Sequence, residues 1–305
     1  MLVWQAHKGK VESMAFAPDG RYLATATGGT RTVYLWEPTT GTLARKLTGD
    51  RSHGHVRLGP VKSVAFAHGA PLFAAGTSRS VTLWRTETWD LTADLDLEYA
   101  YELAFGPGEA PTLAASSADQ IALWADAGRP TGGTVRSHDR VCGPRGGIAA
   151  LDFSQDGALL AAINCHSASV WNPATGEHLW FLDRPPGNHR GAVRFSPDGS
   201  ILAMARGKFV DLWLVEGDNN PIATLTAGTG RQPAVWALGW TAGGKVLMTA
   251  GADGFVRLWD VAAVKELRSF AWDIGKVYCA AFAPDGLTCA AGGLNGKVVV
   301  WDVDG

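Results

Sequence analysis

The chain has only four cysteines in 305 residues, Cys142, Cys165, Cys279 and Cys289, and none is set in a C-x-x-C pair. That excludes a disulfide framework and a paired-cysteine zinc site, and reads as the reduced thiols of a cytoplasmic protein. Cys279 and Cys289 flank one expected hairpin, where a bridge is the alternative. No apolar run reaches the length of a membrane span. The opening, MLVWQAHKGK, lacks the basic-then-apolar profile of a secretory leader. Neither sign of charge dominates: charged residues make up 18% of the chain and the formal net charge is −2, so no basic excess demands nucleic acid. The catalytic patterns G-x-S-x-G, H-E-x-x-H and G-x-x-x-x-G-K-[S/T] are all missing. His53-Gly54-His55 offers two imidazoles but no third metal ligand at useful spacing. No cofactor or metal is expected.

What the chain has is repetition. The ending x-Val-x-Leu-Trp, or a close variant, recurs at Trp36, Trp84, Trp124, Trp171, Trp213, Trp259 and Trp301, at intervals of 48, 40, 47, 42, 46 and 42 residues. A second aromatic precedes each by 18 to 20 residues: Phe16, Phe66, Phe105, Phe153, Phe195, Trp240 and Phe282. After several of these stands a tight-turn tetrad: APDG at 17–20, SQDG at 154–157, SPDG at 196–199 and APDG at 283–286. In the last unit VYCAAF (277–282) reads as strand a, TCAAG (288–292) as strand b and KVVVW (297–301) as strand c, with Asn295-Gly296 as the hairpin between b and c. Weaker segments such as GTLARKL (41–47) supply strand d. Strand b is crowded with small residues (LATAT, LFAAG, LLAAI, TCAAG), as sheets packed face to face require. A period near 40–45 residues with four short strands per unit marks the blades of an all-β propeller.

On these residues the chain resembles the WD40-repeat family, and the match runs over 1–305 as one domain. The resemblance implies a seven-bladed ring of four-stranded antiparallel blades around a channel. Only Asp302–Gly305 follow Trp301, so residues 1–6 are expected to supply the outer strand of the last blade and close the ring. The family's buried network of turn Asp, strand-b Ser/Thr, a His before strand a and strand-c Trp is incomplete here. His7, Thr25 and Trp36 match in the first unit, with Thr30 in place of Asp. Asp253, Thr249 and Trp259 match in the sixth, with Arg231 in place of His. Asn295 replaces Asp in the last unit and Asp119 is offset by one residue. Packing is therefore expected to carry more of the stability than these networks.

In a propeller the d–a and b–c connections lie on one face, called top here, and the a–b and c–d connections on the other. Sorted this way, the bottom is acidic, partly because P-D-G and W-D turns place carboxylates there in any such protein. The top is basic, with arginines in long loops such as 49–59 and 129–147. The family commonly binds partners at the top entrance, through residues opening strand a and beside the b–c turn. Carried over position by position, the resemblance implies a partner-binding set of Lys10, Glu12, Lys62, Tyr99, Tyr101, His189, Arg206, Trp236, Lys276 and Tyr278; packing of the upper channel is the other use for its aromatics. The expected function is a non-catalytic, monomeric interaction scaffold for an acidic or phosphorylated protein or peptide, with no membrane contact. A lactonase- or hydrolase-like propeller enzyme and a nucleic-acid backbone binder are the alternatives. The alanine-, glycine- and arginine-rich usage points to a bacterial source.

Overall fold

A computed structural model describes residues 1–48, 58–117, 120–129, 134–137, 148–164, 167–183, 191–217, 220–230 and 233–303, with the side chains of 134–137 and 183 excepted. Its strands form seven four-stranded antiparallel sheets. Six are built from consecutive strands. The first, for example, runs Ser13–Phe16, Leu23–Ala26, Thr32–Glu37 and Thr42–Thr48. The seventh takes Val277–Phe282, Thr288–Gly293 and Lys297–Asp302 from the end of the chain and Leu2–Gln5 from its beginning. Leu2 pairs with Val300 and Gln5 with Lys297, so the expected closure by residues 1–6 is realised by 2–5. The innermost strands of neighbouring blades touch all the way round, including the first with the last. Each tryptophan marker is the last or next-to-last residue of its strand c.

The core divides into seven apolar clusters, one at each blade junction. Between blades one and two, Leu35 and Val33 meet Phe66, Phe73 and Trp84. Phe73 is fully buried, and cutting it to alanine would cost about 3–5 kcal/mol. The small residues of strand b are what let neighbouring sheets approach: Ala24, Ala74, Ala114, Ala161, Ala203 and Ala290 are all sealed from solvent. Strand b of blades six and seven ends in glycine for a sharper reason. A Cβ on Gly251 would collide with the carbonyl of Ala234, and one on Gly293 with that of Ile274. There the chain entering strand a crosses the end of strand b.

Neighbouring blades are also tied by backbone hydrogen bonds across the top. The N–H of Val61 donates to Thr30 O at 3.1 Å, Ala100 to Thr77 O at 2.9 Å, Val235 to Gly207 O at 2.8 Å and Val11 to Gly293 O at 3.1 Å. Cys279 and Cys289 are buried and carry no disulfide; Cys279 pairs with Gly292 and Cys289 with Phe282 across the strands, so the bridge is not formed. Cys142 and Cys165 lie outside the described residues.

Candidate functional site

The innermost strands begin with a shared irregularity. Register shifts at Val61/Ser63, Val235/Ala237 and Val277/Cys279 mark Lys62, Trp236 and Tyr278 as bulged residues that the strand register skips. Glu12 and Tyr101 hold the equivalent place: their N–H groups donate to Ala26 O and Ser116 O, carbonyls of residues that the register pairs with Ser13 and Glu102. A bulge re-aims its side chain and ends regular pairing. In these five blades the re-aimed residue stands four positions before the aromatic marker.

The bulged side chains form a continuous line over four blades. The rings of Trp236 and Tyr278 stack with centroids 4.8 Å apart at 26°. The Lys10 ammonium lies 5.2 Å from the Tyr278 centroid and pairs with Glu12 Oε1 at 2.5 Å. Lys62 approaches the other oxygen of Glu12 at 3.7 Å. One carboxylate thus serves two ammonium groups, and Lys10 also stands where a ring face can attract it. Lys276 is exposed just outside this line.

The remaining predicted residues are placed differently. Tyr99 and Tyr101 are 53% and 37% exposed, loosely stacked at 6.4 Å, with exposed Asp94, Asp96 and Glu98 in the same segment. This sector of the rim is aromatic and acidic, a poor match for an acidic ligand. Arg206 is committed to Asp211, with Nε 2.8 Å from Oδ2 and Nη2 3.3 Å from Oδ1. Thr224 also donates to that carboxylate, so the guanidinium is largely spoken for inside its own blade. His189 lies outside the described residues, as do the arginines of 49–57 and 138–147. Among the described residues no group of three His, Cys, Asp or Glu could hold a metal ion, and no helix is long and apolar enough to cross a membrane.

Two channel residues escaped sequence reasoning. The position just before each aromatic marker is Ala15, Ala65, Ala104, Gly239 or Ala281 in five blades, but Asp152 and Arg194 in blades four and five. Asp152 accepts from Phe195 N–H at 2.7 Å and lies 4.0 Å from Arg194. Burial pushes its carboxyl up to about 6, against the opposing pull of Arg194 and the Phe195 N–H. The signal was legible as the single charged pair in an otherwise small-residue column.

The turn acids on the bottom mostly serve their own turns. Asp156 accepts from the Ser154 hydroxyl and Ala158 N–H, and Asp198 from the hydroxyls of Ser196 and Ser200 and from Ser200 N–H. Those hydroxyl bonds, followed by the backbone donors, hold both carboxyls below their ordinary value.

Comparison with known proteins supports the repeat reading. The family model described as "WD domain, G-beta repeat" matches residues 1–37, 219–260 and 265–302. Those stretches carry WD40 repeats. The described strands close into a seven-bladed propeller, as the sheets show. Similar curated proteins include the Protein LST8 homolog of Drosophila melanogaster, 30% identical over 139 residues, which is 45% of this chain and 44% of that protein. The human Echinoderm microtubule-associated protein-like 2 is 24% identical over 270 residues, 87% of this chain and 39% of that protein. A WD repeat-containing protein of Synechocystis sp. is 25% identical over 158 residues, 52% of this chain and 44% of that protein. In each case the match spans less than half of the relative's length.

Proposed function

We propose that this WD40 propeller is a non-catalytic interaction scaffold that binds an acidic or phosphorylated segment of a protein partner at its top rim. The observation that carries the reading is the line Trp236–Tyr278–Lys10–Glu12–Lys62, which places stacked aromatics beside ammonium groups at one entrance. Aromatic residues are enriched among those that dominate binding energy, and a cationic rim adds steering toward an acidic ligand. Lys276 and Lys208 extend the cationic sector, and Lys208 lies 5.0 Å from the Phe209 ring centroid. Arg206 and the Tyr99–Tyr101 sector are left out of the acid-binding surface on the geometry above. The protein acts as a monomer in this reading, and nucleic acid is not its ligand.

The test is fluorescence anisotropy with acidic peptides, with and without phosphoserine, against wild type and the variants Trp236→Ala and Lys276→Glu. Each variant is expected to weaken binding by about tenfold or more, and Lys276→Glu to flatten its salt dependence. Affinity untouched by both substitutions overturns the assignment. A DNA or RNA duplex bound more tightly than the peptides, with a steep loss in salt, replaces it with the nucleic-acid reading.

A further inference from the structure

At three blade junctions the bottom face is closed by contact between neighbouring a–b turns. A Cβ on Gly157 would meet Pro107 Cδ at 3.0 Å, one on Gly244 would meet Pro197 Cδ at 3.5 Å, and one on Gly69 would meet Gly108 O at 3.0 Å. The seam between blades seven and one carries the same turn sequence on both sides, APDG at 17–20 and APDG at 283–286. By analogy Gly20 should rest on Pro284. Instead nothing lies within 4 Å of a Cβ at Gly20 or at Gly286. Gly199 is also clear, but its neighbouring turn has Gln155 where the seam has Pro284. At the seam the two turns stand apart and leave an open cleft of about 790 Å³.

The cleft has apolar and charged parts. Phe16, Leu2, Val300 and Trp301 line it, with Pro18 and Pro284 from the two facing turns. Its remaining lining includes Asp19, Asp285 and Asp302, with Arg21 as the one cationic side chain beside the α-ammonium of Met1. None of these three carboxylates has an ion pair among the described residues. Met1, 80% exposed, extends the apolar surface. A cleft with this lining repels acidic segments and leaves an apolar surface that water covers poorly.

We propose that this bottom cleft is a second docking site, for a segment of a partner protein that carries a lysine or arginine beside an aliphatic side chain. The aliphatic group covers the apolar lining between the prolines, and the cation meets the carboxylates of Asp19 and Asp302, while Asp285, which accepts from Leu287 N–H and from the N–H and hydroxyl of Thr288, adds its charge to the field. The site is independent of the top rim and prefers the opposite charge, so one propeller can hold two chemically different segments at once.

The test uses two labelled peptides of equal length, one alternating lysine with leucine and one alternating glutamate with leucine. The lysine peptide should bind wild type, and the glutamate peptide should not. The double charge reversal Asp19→Lys/Asp302→Lys, and separately Thr39→Trp at the exposed edge of the cleft, should each weaken the lysine peptide by about tenfold. Lys276→Glu on the top face and Glu177→Lys on the bottom but outside the cleft should leave it unchanged. These substitutions sit on exposed residues, and thermal melts confirm that each variant folds. Equal loss with Glu177→Lys would mean a general field and overturn the site, as would unchanged binding in Thr39→Trp or comparable binding of the glutamate peptide. Loss of acidic-peptide binding in Lys276→Glu, with lysine-peptide binding intact, keeps the failure of either site distinguishable from that of the other.

Discussion

His7 Nε2 lies 2.8 Å from the hydroxyl of Thr25, and the indole N–H of Trp36 donates to that same hydroxyl at 2.8 Å. One hydroxyl thus bridges the imidazole and the indole, and the direction of its bond to His7 follows the tautomer of the ring. All three residues are buried, and the imidazole stands edge-on to Tyr34 with centroids 5.0 Å apart.

This arrangement has a pH consequence. Burial lowers His7 from 6.5 to about 4. Between those values the unfolded chain binds a proton that the folded one refuses, so stability falls as pH drops through 6.5 and the loss levels off near 4. The whole shift corresponds to a loss on the order of 3 kcal/mol. Asp152 works in the opposite direction, because its raised folded value gains stability as pH falls below 6. The clean measurement is therefore a difference: denaturant unfolding of wild type and His7→Gln at several pH values. Wild type should lose stability relative to the variant between pH 6.5 and 4. A constant gap between the two proteins would show that His7 titrates normally in the fold.

The indole partners can be tested by moving one. Trp36 faces Leu23 across the sheet, and Thr25 stands two residues further along strand b. Trp259 faces Leu247, and Thr249 stands at the same offset and accepts the indole N–H at 3.0 Å. Trp301 faces Cys289, and that offset falls on Ala291. Its buried indole N–H has no acceptor among the described residues. Thr25→Val should cost about 1–3 kcal/mol, because it strands two buried polar groups. Ala291→Ser should instead raise stability by about 1 kcal/mol by supplying the missing acceptor. Ala290→Ser, one residue away on the opposite face, should destabilise. Equal effects at 290 and 291 would mean the indole gains nothing.

Blade number and strand limits were legible because each rests on a local rule. Trp36 to Trp301 each close a strand c, and P-D-G turns set strands a and b apart. The incomplete networks were legible too, since Thr25 and Thr249 alone among the seven aligned strand-b positions can accept from an indole. The rim was harder. Residue types at Trp236, Tyr278 and Lys10 could be placed at the top entrance. That Glu12 bridges Lys10 and Lys62, and that Asp211 engages Arg206, depends on side-chain directions set by bulges and cross-strand offsets. The Tyr99–Tyr101 pair shows the same limit. Its aromatic character was evident, while the exposed carboxylates beside it change which ligand it suits.

The ring closure makes the strongest demand on stability. Leu2–Gln5 pairs along Lys297–Val300, and the N–H groups of Ala6 and His7 both donate to Gly296 O at 2.9 and 3.0 Å. Trp4 packs on Trp36 of the first blade, with centroids 5.8 Å apart and tilted by 52°. One short strand thus completes a sheet and joins the last blade to the first. Deleting residues 1–6 removes the outer ladder and leaves Lys297–Asp302 as an open edge, which is a template for pairing with other chains. It also removes the aromatic contact that spans the seam. The melting temperature should fall by about 10 °C or more, and light scattering should report association through the exposed edge. Adding a peptide with the sequence of residues 1–6 should restore part of the lost stability in proportion to its concentration. An unchanged melting temperature in the truncated protein would mean that the other blade junctions hold the ring without this strand.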